Sequence, residues 1–297
     1  MVAAFVSAAV LFPRRFGREQ LHRTCSTSTT DSMRVSVELT PKMIKKAGEK
    51  VRHLLPKGMS VFIPHLANAP YSEVIDATVE LANMGMNPVP HFATRRFRTV
   101  EEAADALRDL TRRISVEQAL LISGDYQVTP SSSSSMRSSS TEFISSMLMQ
   151  RNGFKSVFMS AFPQPRQGNS KDDELEALRK KVKVCEHSGL HLKLVTQFCC
   201  DNGDLERWLK QNGDVFVREE DLEVGVVGPV TVERLRRFTK ELGLSEKGIS
   251  AEDTSKASPD QQVKIIKATA PRSAVHIFPF GGLSATSEWL QTHPEIY

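Results

Sequence analysis

From residue 34 onward the chain alternates short runs of apolar and β-branched residues with longer stretches whose apolar positions recur three and four apart. The short runs predict strands at 34–39 (RVSVEL), 59–64 (MSVFIP), 87–92 (NPVPHF), 117–122 (EQALLI), 155–161 (KSVFMSA), 192–198 (LKLVTQF), 222–227 (LEVGVV) and 274–280 (AVHIFPF). Between them, Val100, Ala103, Leu107 and Leu110 make one amphipathic stripe, and Leu175, Leu178, Val182 and Cys185 another. Asp172 or Asp173 is placed to cap the second helix. Val232, Leu235, Phe238 and Leu242 follow the Gly228-Pro229 turn as a third stripe, and 261–269 reads as a short helix.

Strands alternating with helices require a parallel sheet with right-handed crossovers. Eight such units over about 260 residues predict one (β/α)8 barrel of the TIM type, spanning 34–297, with its active site at the C-terminal ends of the strands. The alternative is a doubly wound open sheet. It loses its usual dinucleotide site here, because no GxGxxG follows the first strand. Residues 130–141 (PSSSSSMRSSST) read as a Ser-rich loop insertion, and 243–262 as a polar loop.

Charge changes the picture only at the start of the chain. Residues 1–30 hold Arg14, Arg15, Arg18 and Arg23 against Glu19 alone, a net +3 out of a total of +4. The remaining body is near neutral, which argues against a nucleic-acid partner. The apolar run at 2–12 is shorter than the roughly 20 residues a membrane span needs, so no membrane insertion is expected. Arginines after the apolar run, with many Ser and Thr, make 1–33 a mitochondrial targeting segment, with a cytoplasmic location as the alternative.

Cys25, Cys185, Cys199 and Cys200 lack zinc-ligand spacing, so no metal is expected. The polar residues that fall at predicted strand ends are Glu38, His65, His91, Asp125, Gln197 and Asp201, with Lys181 in the fifth helix. Glu38 interrupts an apolar strand, and a buried carboxyl group must be paired, for instance with Lys193, or kept protonated. In the second case its raised pKa suits proton donation.

Six segments, in order, resemble the methylenetetrahydrofolate reductase family, in particular its short members without a regulatory domain. Val35-Ser36-Val37-Glu38 resembles the first strand with its catalytic glutamate. Pro88-Val89-Pro90-His91 resembles the third strand, whose histidine meets the flavin. Leu120-Leu121-Ile122-Ser123-Gly124-Asp125 resembles the "LRGD" motif beside the flavin ring. Leu178-Arg179-Lys180-Lys181-Val182 resembles the "LKxKV" helix that serves the FAD phosphates. Val195-Thr196-Gln197-Phe198 with Asp201 resembles "TQFxFD", whose glutamine contacts the folate, and His276-Ile277-Phe278-Pro279-Phe280 resembles the last strand.

The resemblance implies non-covalently bound FAD, NADH or NADPH as co-substrate, and reduction of 5,10-methylenetetrahydrofolate to 5-methyltetrahydrofolate. Glu38 would be the general acid, while Asp125 would tune the flavin and hold the pterin. Gln197 would orient the folate, and His91, Phe162, Arg166 and Lys181 would bind the cofactor. Where the family has Tyr-Pro-Glu-x-His, this chain reads Phe162-Pro163-Gln164-Pro165-Arg166; Pro64-His65 and Ala177 also depart from the pattern. A flavin barrel acting on another substrate, and a non-catalytic folate- or flavin-binding barrel, remain open beside this reading. So does assembly into a homo-oligomer.

Overall fold

Successive residues of a strand face opposite ways, so each strand here divides between two environments. Val37, Leu39, Val61, Ile63 and Phe92 join the large apolar layer between strands and helices, while Phe62, Val89, Leu120, Phe158 and Val195 form a separate cluster on the barrel axis. The computed structural model describes residues 33–67, 69–124, 140–249 and 256–296. Its strands are β1 (Arg34–Glu38), β2 (Ser60–Ile63), β3 (Asn87–Ala93), β4 (Gln118–Ile122), β5 (Ser156–Ala161), β6 (His191–Thr196) and β7 (Leu222–Val227). The short β8 (Val230–Thr231) and β9 (Lys256–Ala257) follow, and then β10 (Ala274–Phe278).

β1 to β7 and β10 close into a parallel barrel, sealed where Ser36 of β1 stands opposite His276 of β10. This is the predicted (β/α)8 architecture, and all eight predicted strands are present. β8 and β9 pair antiparallel as a separate two-stranded sheet. The chain returns on itself where the Met33 N–H donates to the Ile296 carbonyl at 2.6 Å.

Helices start where short polar side chains satisfy the first free N–H groups. Thr40, Thr99, Asp201 and Thr231 each accept a backbone N–H three residues on. The helix Lys171–Ser188 is capped by Ser170 rather than by Asp172 or Asp173. Asp173 instead returns a bond to the Ser170 backbone, completing a capping box. Two positions of the predicted stripes face solvent: Val100, in the first turn of its helix, and Leu242, just past the end of the helix Val232–Glu241. The predicted helix at 261–269 is Asp260–Thr269.

Among the described residues no helix is long and apolar enough to cross a membrane. No group of three or more His, Cys, Asp or Glu among them could hold a metal ion. The targeting segment expected at 1–33 lies outside the described residues except for Met33, as does most of the Ser-rich insertion. Cys199 and Cys200 lie just past β6. Burial pushes their thiols up to about 12 and about 11, which leaves them poor nucleophiles.

Candidate active site at the barrel mouth

Ser36 and Glu38 share the inward face of β1, with Glu38 at its C-terminal end. Desolvation raises the Glu38 carboxyl to about 7. Lys193 does not neutralise it. That ammonium donates to Gln118 Oε1 at 3.4 Å and stands 5.3 Å from the Phe158 ring. The neighbour of Glu38 is His91 on β3, with Nε2 3.5 Å from Oε2. The contact is not an ion pair, because burial, with the charges of His276, His65 and Arg96, pushes His91 down to about 3 and keeps it neutral. It also falls outside hydrogen-bond geometry, leaving the buried His91 Nε2 without a hydrogen-bond partner among the described residues. A carboxyl group held half-protonated near pH 7 beside a neutral imidazole is equipped to give up a proton.

His65 packs behind this pair, its ring against Tyr71 (5.1 Å) and Phe97 (5.6 Å), and burial lowers it to about 4. It takes part in the wall of the mouth rather than lining the barrel axis. Asp125 lies outside the described residues. Gly124 before it has φ +84°, and a Cβ there would come within 3.2 Å of Ala93 Cβ, so the turn after β4 is pressed against β3.

Gln197, one residue past β6, is partly exposed. Its Oε1 accepts the Phe198 N–H at 3.0 Å, which leaves the amide N–H groups available to a ligand. Beside it stands an aromatic rim: Phe198 meets Phe278 edge-on at 5.5 Å, and Phe280 stacks on Phe238 at 4.3 Å.

Phe162, Arg166 and Lys181 come together beyond β5. The Arg166 guanidinium lies 4.4 Å over the Phe162 ring and makes a two-pronged pair with Glu174. Lys181 reaches inward to donate to the Ser160 carbonyl at 2.5 Å. Burial and the nearby Arg166 charge lower its ammonium to about 8. Lys181, Phe162, Lys171, Arg207 and Trp208 line a cavity between the helices Lys171–Ser188 and Asn202–Asn212.

Below Glu38 lies a cluster that is not among the polar residues at the predicted strand ends. Ser36 Oγ is hydrogen-bonded to Glu223 Oε2 on β7 and to His276 Nδ1 on β10, the latter at 2.8 Å. Glu223 interrupts an apolar strand just as Glu38 does, so the same signal was present. It sits near the start of β7, away from the strand's C-terminal end.

No protein-family model matches the chain. Its structure is similar to a GH18 chitinase from Pseudoalteromonas aurantia, with 10% identity, 86% of this chain and 99% of that chain covered, and a TM-score of 0.50. It is also similar to a candidate phosphonomutase from Burkholderia cenocepacia, with 9% identity, 90% and 94% covered, and a TM-score of 0.50. A dihydropteroate synthase from Thermus thermophilus matches at 13% identity over 91% and 96%, with a TM-score of 0.48. At such identity the first two likenesses establish the barrel fold and nothing of the chemistry.

Proposed function

We propose that this chain is a flavin-dependent reductase of one-carbon folate chemistry, taking electrons from NADH or NADPH and converting 5,10-methylenetetrahydrofolate to 5-methyltetrahydrofolate. The observation that carries this reading is Glu38: a carboxyl group raised to about 7 at the mouth, 3.5 Å from a neutral His91. Opening the five-membered ring of this substrate requires a proton at nitrogen, and Glu38 holds one at the pH where it is needed.

Two features fit a flavin nucleotide. His91 Nε2 is buried and lacks a hydrogen-bond partner among the described residues. Lys181 lines a cavity with a single hydrogen bond among the described residues, so its ammonium keeps N–H groups for an anion. Arg166 fits less well, since its fork is occupied by Glu174. A bound flavin would supply the hydride chemistry. The chain's own part is to hold the proton at Glu38 and orient the substrate amide through Gln197. The aromatic rim excludes water from the side of the mouth beside Gln197.

The purified protein should be yellow, bleach with NADH or NADPH, and regain colour when methylenetetrahydrofolate is added without oxygen. A protein that binds neither FAD nor FMN overturns the flavoenzyme reading. One that bleaches but is not reoxidised by the folate is a flavoenzyme for another substrate. We further propose that residues 1–33 direct mitochondrial import. A fluorescent fusion of residues 1–40 should reach mitochondria, and a diffuse cytosolic signal overturns that assignment.

A further inference from the structure

Glu38 and His91 belong to strands that are not neighbours in the barrel. β2 runs between β1 and β3, and the pair meets across it at 3.5 Å. The inward-facing residue of β2 beneath the pair is Phe62. It stands opposite Glu38 in the β1–β2 register and opposite Val89 in the β2–β3 register, one inward position below His91. The Leu39 N–H donates to the Phe62 carbonyl at 2.9 Å, which ties the two strands together at that level. Paired residues of neighbouring parallel strands face the same way, with the strands about 4.8 Å apart, so ring and carboxyl stem lie side by side.

The Phe62 ring is fully buried and has different company above and below. It meets His91 edge-on at 6.1 Å, Phe158 at 5.0 Å and His276 at 4.6 Å. His276 belongs to the polar cluster with Ser36 and Glu223, and those two line a cavity at the N-terminal end of the barrel. With Val89, Leu120, Phe158 and Val195, the ring forms an apolar layer between that cluster and the Glu38–His91 pair. On the other side of the layer, 24% of the Glu38 side chain is open at the mouth.

We propose that Phe62 is a positioning residue for proton donation: its ring is the apolar floor that keeps Glu38 in its proton-carrying form and set against His91. This role rests on the function proposed above. A carboxylate on such a floor finds no hydrogen bond on that side, which disfavours ionisation, while its open side still exchanges protons with solvent. The groups that titrate around Glu38 leave the floor in charge. His91 on β3 is the one group in ion-pair reach of it among the described residues, and burial keeps that imidazole neutral. His276 on β10 is neutral for the same reason. Glu223 on β7 is held by Ser36, and Lys193 on β6 donates to Gln118. The Arg96 charge acts on His91 and His65. Burial is what raises Glu38 itself. Phe62→Ala replaces the ring by a space with polar groups above and below, which water can occupy. The carboxylate then gains hydrogen bonds, and Glu38 gives up its proton at lower pH.

The test is the pH dependence of the folate half-reaction in the full-length protein, with methylenetetrahydrofolate as the oxidant. In Phe62→Ala the fall with rising pH should move down by about one pH unit or more, so that the rate drops roughly tenfold at pH 7.5 and little at pH 5.5. Flavin reduction by NADH or NADPH should show no such shift. A loss of equal size at every pH makes Phe62 mere packing and overturns the role. Phe62→Leu, which keeps most of the apolar volume, should move the midpoint by less, and an unmoved midpoint in whichever variant folds also overturns it. Infrared difference spectra read the same quantity without folate. The carboxyl band that Glu38→Gln removes should vanish at lower pH in Phe62→Ala than in the wild type. If neither Phe62 variant folds, the wild-type band decides: persistence to about pH 7 supports the role, and loss near the ordinary 4.5 leaves the ring nothing to maintain. A flavin that the folate does not reoxidise sinks the proposed function instead, and the infrared titration still stands.

Discussion

Arg166 and Glu174 meet fork to fork, Nε to Oε1 at 2.9 Å and Nη2 to Oε2 at 3.1 Å, with the Arg166 backbone N–H also directed at Oε1. The pair staples the loop after β5 to the helix Lys171–Ser188, and it holds the Glu174 carboxyl below its usual range with help from Asn169. An arginine so committed is a poor ligand for a second anion.

Arg166→Ala should therefore act first on stability, by about 1.5–3 kcal/mol for the lost charge-assisted bonds. Thermal denaturation of Arg166→Ala, Glu174→Gln and the double variant checks this, the double variant being less destabilised than the two single losses summed.

Lys181→Ala should lower flavin affinity, by roughly 10- to 150-fold if one charge-assisted contact is lost. Flavin retained after gel filtration is the readout, with Arg166→Ala keeping more than Lys181→Ala. Equal retention in Lys181→Ala and wild type removes Lys181 from the cofactor site.

Glu38→Gln should keep flavin and its reduction by NADH or NADPH, and lose about 10²–10⁴-fold in the folate half-reaction. In the wild type that half-reaction should fall as pH rises through about 7, where Glu38 loses its proton. Rapid-mixing traces at several pH values separate the two steps.

Stability should also depend on pH, with a sign fixed by burial. Glu38 and Glu223 stand near 7 in the fold against 4.5 when exposed, so the folded state binds more protons between those values. Their contribution is whole below about 4.5 and is lost as pH rises through about 7. His65, His91 and His276 are lowered from 6.5 and oppose this on the acid side, where their contribution is lost as pH falls below 6.5. Urea midpoints should therefore decline between pH 6.5 and 8. Glu223→Gln should flatten that decline by about 1 kcal/mol, since most of the roughly 3 kcal/mol that a shift from 4.5 to about 7 represents is lost below pH 6.5.

Gly225→Ala should destabilise the barrel by about 3 kcal/mol or more. A Cβ there would run into the Thr196 carbonyl and come within 2.8 Å of Phe278 Cε2. The bare backbone also lets the Gly225 N–H reach Thr196 Oγ1 at 2.8 Å. The same close approach sets the end of β6, and with it Gln197, so the surviving folded fraction should show a raised KM for the folate. Denaturation and steady-state kinetics on one preparation test both effects.

Strand positions were legible because each strand carries a local pattern of alternation or apolar run bounded by polar turns. Glu38 and His91 stood out because a polar group in an apolar strand demands a reason. Their partners did not. Ser36 finds Glu223 187 residues away and His276 240 residues away, through a barrel closure that no window of sequence encodes. Lys193, the cation expected to meet Glu38, instead serves Gln118 and Glu223, because its place along β6 sets it at a lower level of the barrel. The Arg166–Glu174 staple depends on the path of a proline-containing loop, which composition does not specify.

The 2.6 Å bond from the Met33 N–H to the Ile296 carbonyl brings the two ends of the barrel together, at a seam where β1 and β10 pair through four consecutive residues. That makes the order in which the strands are synthesised separable from the shape they reach. A rearranged gene joining 296 to 33 by a short linker, and opened at the exposed turn around Gly153, where a Cβ would meet nothing within 4 Å, should encode the same barrel. In such a permutant Glu223 would sit in the first half of the chain and Glu38 in the second, the reverse of their present order, and the polar line down the barrel axis would assemble from strands made in a different sequence.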